Sequence, residues 1–306
     1  MEAAQEKFRI IQDMLSRDDN LLNISWLCEI AGVSRSGYYS WINRDNSESE
    51  KQDQNDFDKI LEVYKLRGYP KGAKIIYMIL KQQGITMNVK KIRRLMKKFG
   101  LKCPIRQANP YRRMAKAIKT DNYADNIVNR EFKQSPRKII LTDITYLFYG
   151  EKRNKAYLSV MKDAYTNEVL SYVISESMEV DFVLETVKKL LKNYGNQITK
   201  DTIVHSDQGC HYTSTDFREL LTNSELTQSM SRRGNCWDNA PQESFFGHMK
   251  DEIDISAANN FESLTTIIND YMDYYNNVRP QWNLAKLTPS QYYKYSTTGN
   301  YPTFGD

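Results

Sequence analysis

Asp207 and Glu243 are separated by 35 residues, and Lys250 follows Glu243 after seven positions in the run Gln242-Glu243-Ser244-Phe245-Phe246-Gly247-His248-Met249-Lys250. Seven residues are close to two helical turns, so the Lys250 ammonium stacks above the Glu243 carboxylate on one helix face. Gly247 lies between them and, lacking a side chain, lets a polynucleotide backbone come close. Carboxylates for a hard cation and a lysine for a phosphate are what metal-dependent cutting and joining of a phosphodiester requires. A solvated helical ion pair is the plainer reading of the same spacing, and other residues must decide between the two.

The first of these is Asp143. The run Lys138 to Tyr149 is rich in β-branched and aromatic residues and closes on Gly150, which predicts a strand. Alternation puts Asp143 on one face with Ile139, Leu141 and Leu147, where a carboxylate is costly unless it is paired or metal-bound. Asp163 is a rival first carboxylate, but its place beside the turn after Ala156 to Lys162 gives it an ordinary turn role. Thr202 to His205 predicts a short buried strand running into Ser206-Asp207-Gln208-Gly209, and an acid just past a strand's carboxyl end in an α/β fold faces a cleft. The loop from Met230 to Pro241 then leads into the helix of Glu243, with Asn239 as its cap and Pro241 in its first turn. Asp238 stands at the end of that loop.

These residues need a scaffold, and the chain predicts one in five stretches. Residues 1–45 are helical; within them Gly32 ends one short helix and Ser34 caps the next, the logic of a helix-turn-helix. Arg44 to Asn55 has no apolar member and reads as a linker. Residues 56–110 form a basic helical unit whose last helix buries Val89, Ile92, Leu95, Met96 and Phe99. It turns Lys90, Lys91, Arg94, Lys97 and Lys98 outward, with Arg93 a further DNA contact. Residues 71–120 hold fifteen Lys or Arg and no Asp or Glu, which leaves the remainder of the chain net acidic. A block that basic and still amphipathic predicts a folded phosphate-binding surface. Residues 111–135 are a basic connector, 136–260 the α/β catalytic core with helices at Asp181 to Tyr194 and Thr215 to Asn223, and 261–306 a helical extension.

The longest apolar run, Ile75 to Leu80, is bracketed by lysines and far too short for a membrane span. The first residues lack a secretory apolar segment, so the expected compartment is the cytoplasm. Cys28, Cys103, Cys210 and Cys236 are scattered, with three histidines in the chain, which argues against a structural zinc site.

Three motifs now carry a resemblance: Thr142-Asp143-Ile144-Thr145-Tyr146, His205-Ser206-Asp207-Gln208-Gly209, and Ser231-Arg232-Arg233-Gly234-Asn235-Cys236-Trp237-Asp238-Asn239-Ala240 with Glu243-Ser244-Phe245-Phe246. Together they resemble the integrase core of bacterial insertion-sequence transposases, specifically the second-reading-frame product of the IS-three family. The similarity continues through Tyr275-Asn276-Asn277-Val278-Arg279-Pro280 and Leu287-Thr288-Pro289. The chain departs from the family pattern in having Ile and Leu where a Trp often precedes Thr-Asp, and Gln281 where a His often follows Arg-Pro.

The resemblance implies a ribonuclease-H-like catalytic domain preceded by an all-α helix-turn-helix-type region. It implies that Asp143, Asp207 and Glu243 hold two Mg²⁺ or Mn²⁺ ions, and that double-stranded DNA, transposon ends and target, is the partner. Lys250, Arg232, Arg233, Asn235 and Arg279 are then further DNA contacts. It also implies a homo-oligomer on DNA and an upstream-frame product, separate or fused by frameshifting, that adds an end-binding helix-turn-helix and a coiled coil; this chain has no sustained heptad repeat. The alternatives are a nuclease of the same fold and a DNA-binding regulator with a silent core.

Overall fold

The computed structural model describes residues 2–17, 21–43, 48–104, 124–232 and 236–303. They divide into two compact units, Met1–Lys59 and Ile60–Asp306.

The first unit opens with α1 (Glu2–Leu15), α2 (Ile24–Ala31) and α3 (Arg35–Ile42) around Ile11, Leu27, Cys28 and Tyr38. Gly32 ends α2 in the left-handed region at φ 65°, and the Ser34 hydroxyl caps α3 by accepting from the Gly37 amide at 3.1 Å, as the sequence predicts. A Cβ on Gly37 would lie 3.1 Å from the Phe8 ring and 2.8 Å from Ser34 Oγ, so the close approach of α3 to α1 requires glycine there. The expected linker is a difference: α4 runs Glu48–Lys65, taking most of that polar stretch into a helix. Glu, Lys and Gln are strong helix formers without any apolar face. Side-chain bonds one turn apart, Gln52 to Asp56 at 3.1 Å and Gln54 to Asp58 at 2.8 Å, reinforce it.

In the second unit the end of α4 turns through Arg67 and Gly68, both at positive φ, into α5 (Ala73–Gln82) and α6 (Val89–Lys98). Lys71 is buried under this turn and donates to the carbonyls of Tyr64, Leu66 and Tyr69 while lying 3.8 Å from the Tyr69 ring centroid. It thus satisfies the orphan carbonyls of a helix end. α6 buries Ile92, Leu95 and Met96 and exposes Lys90, Arg93, Arg94, Lys97 and Lys98, with Lys91 half-buried.

Five strands follow in the spatial order β3-β2-β1-β4-β5. β1 (Ile139–Tyr149), β2 (Asn154–Asp163) and β3 (Val169–Ser175) form an antiparallel meander, and β4 (Ile203–Ser206) and β5 (Thr227–Met230) add in parallel on the other side of β1. One face carries α7 (Asp181–Tyr194), α8 (Cys210–Thr213) and α9 (Thr215–Asn223) over Ile140, Met161, Leu170 and Val204. The other carries α10 (Ala240–Glu252) and α11 (Phe261–Asp273) over Leu147, Tyr149, Leu158 and Val160. This is the ribonuclease-H-like integrase core.

β5 was not expected, because Thr227-Gln228-Ser229-Met230 has a single apolar residue. It forms as an edge strand, and residues 125–128 run beside it, with the Met230 amide donating to the Asp125 carbonyl at 3.2 Å and Val128 buried. That end of the expected basic connector is therefore packed against the core; residues 105–123 lie outside the described residues. After α11 a π-helical turn, Tyr274–Val278, leads to α12 (Pro289–Thr298). The Tyr69 and Tyr274 hydroxyls share a hydrogen bond of 2.6 Å and Arg67 pairs with Asp270, so the end of α4 and its turn rest on α11 and the turn after it.

Candidate active site

The parallel register of β1 and β4 pairs Ile139 with Ile203, Ile140 with Val204 and Leu141 with His205. The last of these pairs stands two residues before Asp143 on β1 and two before Asp207, which directly follows the end of β4 at Ser206, so the two strands lead both acids toward the same end of the β1–β4 pair. Both side chains are half-buried, Asp143 within β1 and Asp207 just past the carboxyl end of β4. Tyr212 is buried beside them, its hydroxyl 3.4 Å from Thr142 Oγ1. Burial pushes the phenol well above its usual range, and the negative fields of both Asp143 and Asp207 push it further. One phenol thus feels the two carboxylates at once. Asp143 Oδ1 accepts from the Ile144 amide at 2.8 Å, and Asp207 Oδ1 from the Gly209 amide at 2.9 Å.

α10 packs on the Asp143 face of β1. Phe245, Phe246 and Met249 are buried against Leu147 and Val160, and Lys250 Nζ donates to Thr145 Oγ1 at 2.6 Å. Thr145 is two residues beyond Asp143 and so shares its face. Glu243 is exposed in the first turn of α10. Among the described residues no three His, Cys, Asp or Glu side chains converge closely enough to form a ready-made metal site. Asp143 and Asp207 share the buried Tyr212 as a neighbour, and Glu243 stands exposed at the start of α10. The rival Asp163 is fully buried, accepting from Arg137 Nη1 at 2.9 Å and from the turn amides of Tyr165 and Thr166.

A polar scaffold that sequence reasoning missed supports the pair. His205, buried two residues before Asp207, has Nδ1 3.0 Å from Ser229 Oγ and Nε2 3.0 Å from the Asp238 carbonyl and 3.1 Å from Ser231 Oγ. Nε2–H donates to that carbonyl, so burial, which lowers the ring's proton affinity, leaves it a neutral strut between β4 and the entry to α10. The available signal was a histidine inside an apolar strand. Asp238 is the second part. Its carboxylate accepts from the Arg232 amide at 3.0 Å and Nε at 3.0 Å, from Arg130 Nε at 2.7 Å and from Asn126 Nδ2 at 2.9 Å. Bonds from Arg232, then Arg130, hold it far below the usual carboxylate range despite its burial.

Two of the residues expected to contact DNA are held in ion pairs with carboxylates. Arg232 is engaged by Asp238 and anchors its own loop. Arg279 is buried, with its Nη2 2.6 Å from Glu252 Oε1 and its Nε 2.8 Å from Glu252 Oε2, so its charge faces the interior. Arg233 and Asn235 lie outside the described residues. Asn239 makes no side-chain cap to α10; its amide and that of Gln242 are buried with no hydrogen-bond partner. Pro241 does occupy the first turn.

Under that first turn Lys162, fully buried on β2, donates to the Pro241 carbonyl at 2.8 Å. Burial pushes its ammonium down to about 7, against the pull of Asp163. The folded chain therefore binds this proton less tightly than the unfolded one, whose lysine titrates near ~10.4. Stability should rise between pH 7 and 10, by up to ~1.4 kcal/mol per pH unit from this group. Lys162→Met should lose that increment and gain stability at neutral pH. Urea midpoints at pH 7 and 9.5 for both proteins check this, and equal pH slopes would refute it.

Models described as an integrase core domain match residues 133–236 and 224–289, and one described as an HTH-like domain matches 51–109. The chain is 30% identical over 268 residues to the putative transposase InsK of insertion sequence element IS150 from Escherichia coli, covering 87% of this chain and 92% of that protein. A transposase-like protein of Haemophilus influenzae is 33% identical over 215 residues, 69% of this chain and 95% of the relative. Transposase InsF of insertion sequence IS3A from Escherichia coli is 29% identical over 234 residues, 75% and 79% of the two chains. Among solved structures, the catalytic core of HTLV-2 integrase aligns at a TM-score of 0.39 and 18% identity over 53% of this chain and 99% of that one. With an integrase core preceded by an HTH-like module, and similarity to IS150 InsK over most of both lengths, the chain belongs to the insertion-sequence transposases, in the IS-three group to which its motifs point.

Proposed function

We infer that this protein nicks the ends of its own insertion sequence and transfers the freed 3′-hydroxyl to a second phosphodiester, using Asp143, Asp207 and Glu243 as ligands for two Mg²⁺ or Mn²⁺ ions. The observation that carries this reading is the buried Tyr212 phenol, which feels both Asp143 within β1 and Asp207 just past the end of β4, with the helix bearing Glu243 and Lys250 packed on the Asp143 face of β1. The donor set fits: carboxylate oxygens suit hard divalent cations, and two of the three are only half-buried. When bound, such ions supply charge stabilisation at the attacking and leaving oxygens.

The protein's own part is to hold and orient. Asp143 stands within β1 and Asp207 directly after β4, each with a backbone amide already on one carboxylate oxygen. Glu243 joins them from the first turn of α10, whose entry His205 and Asp238 brace. Lys250, resting on Thr145, stands where it can hold a phosphate of the terminal nucleotides. No protein nucleophile is required. The exposed face of α6 holds duplex DNA, and the chain works as an oligomer on DNA, with an upstream-frame product as a further partner.

The test is Mg²⁺-dependent nicking and end joining on a duplex carrying the element's terminal repeats. Cut ends that are never joined would indicate a nuclease, and salt-sensitive binding with no product a silent core. Lys250→Gln should slow strand transfer about 10- to 100-fold, for a lost bond to a charged group of ~1.5–3 kcal/mol. Its melting temperature should stay near that of the parent protein. A transfer rate equal to the parent's would remove Lys250 from the site.

A further inference from the structure

A second group of basic residues is built on α5 and the segment after Arg279. Lys74, Tyr77 and Lys81 recur at helical spacing along one side of α5, and the segment after Arg279 lays Trp282 and Lys286 against them. Lys74 Nζ is 4.9 Å and Lys286 Nζ 5.2 Å from the Trp282 ring centroid; Lys286 is also 5.4 Å from that of Tyr77, and Lys81 5.9 Å from that of Tyr301. Trp282 and Tyr301 are each 39% exposed, a large aromatic surface for a chain to leave in water. Among the described residues no carboxylate lies within ion-pair range of Lys74, Lys81 or Lys286.

The backbone is bent to present this arrangement. Ala285 and Lys286 take consecutive positive φ angles, 52° and 67°, which non-glycine residues rarely adopt. The bend is closed by the Gln281 amide on the Leu287 carbonyl at 2.9 Å and by the Tyr301 hydroxyl on the Ala285 carbonyl at 3.0 Å, and it is anchored by the buried Leu284 and Leu287. Strain held this firmly at a half-buried cation resting on two aromatic rings points to use of that cation. Lysines ordinarily wander and lose rotamer freedom when they bind. Ammoniums resting on aromatic faces are already restricted, so less is lost when a phosphate arrives.

We propose that Lys74, Lys81 and Lys286, held on Tyr77, Trp282 and Tyr301, form a second duplex-DNA-binding surface that grips the phosphate backbone without reading sequence. The proposal rests on the reading of this chain as a DNA-acting transposase. Charge selects the occupant: three unneutralised ammoniums fit a polyanion, and they occupy ring faces that would otherwise receive an unpaired base. Lys74 and Lys81 also come from the acid-free stretch 71–120, so that side of the surface extends a field of one sign.

The experiment is fluorescence anisotropy of the full chain with a labelled duplex of arbitrary sequence between about 50 and 200 mM KCl. Each phosphate contact contributes roughly −0.9 to the slope of log affinity against log salt, so the combined Lys74→Gln, Lys81→Gln and Lys286→Gln protein should lose two to three units of slope. Trp282→Ala should weaken binding several-fold with the slope nearly kept, and Trp282→Phe should restore most of it. A wild-type slope and affinity in the triple variant would overturn the proposal, as would a change in sedimentation coefficient without any change of slope, the mark of a protein interface. If Gln at Lys90, Arg93, Arg94 and Lys97 removes binding while the triple variant does not, only this surface fails. If the parent protein shows no salt-dependent DNA binding at all, the underlying reading fails with it.

Discussion

Asp143→Asn, Asp207→Asn and Glu243→Gln should each lower nicking and strand transfer by about a thousandfold or more, equivalent to ~4 kcal/mol of lost transition-state stabilisation. The same substitutions should leave the fold intact and, for the two aspartates, firmer. Asp143 and Asp207 both act on the buried Tyr212 phenol, so neutralising either lowers the negative charge gathered around it. A residue needed only for packing would lose activity and stability together. Mg²⁺ separates the cases further: an ion bound only by the folded chain raises its melting temperature with concentration, and that rise should vanish in the variants. Gel assays on element-end DNA and thermal melts with and without Mg²⁺ measure both effects. Rates within tenfold of the parent protein in any one variant would remove that residue from the proposed set.

Much of the architecture was legible because single elements carry their own signal. β1 alternates and is β-branched, α7 and α9 are amphipathic over the expected residues, and Gly32 and Ser34 punctuate α2 and α3 by backbone and capping chemistry. Asp143 and Asp207 stood out for the same reason, as acids in or just beyond short apolar strands. What escaped depends on partners distant in sequence. β5 owes its existence to β4 and to residues 125–128, not to its own composition. His205, Ser229, Ser231 and Asp238 make a scaffold only once β4 and β5 are adjacent. Arg232 is drawn to an acid six residues away across a loop, which no periodicity marks. The polar start of α4 looks like a linker because a helix without an apolar stripe has no period to detect, although its residues favour the helix.

Arg279 is the sharpest of these cases, and it predicts the largest loss of stability. A motif of the form Asn-Asn-Val-Arg-Pro suggests a surface cation, yet the guanidinium meets Glu252, the last residue of α10, with side-chain exposures of 8% and 5%. Nε and Nη2 both reach the carboxylate, and the buried Tyr271 hydroxyl adds a bond to Glu252 Oε2 at 3.4 Å. Burial alone would make the arginine easier to deprotonate; the bonds to Glu252 outweigh it and hold the charge. Glu252→Gln should therefore leave a buried cation without its counter-ion and cost about 3–5 kcal/mol. Replacing both partners by methionine should recover most of that loss, because the desolvation penalty disappears together with the attraction. Urea titrations of the single and double variants measure the difference. The pair fixes the end of α10, so Glu252→Gln should also lower strand transfer near the unfolding midpoint while sparing it at low temperature, unlike Glu243→Gln, which should be inactive at every temperature. A Glu252→Gln protein as stable as its parent would mean that water reaches Arg279 and that this corner of the core is open.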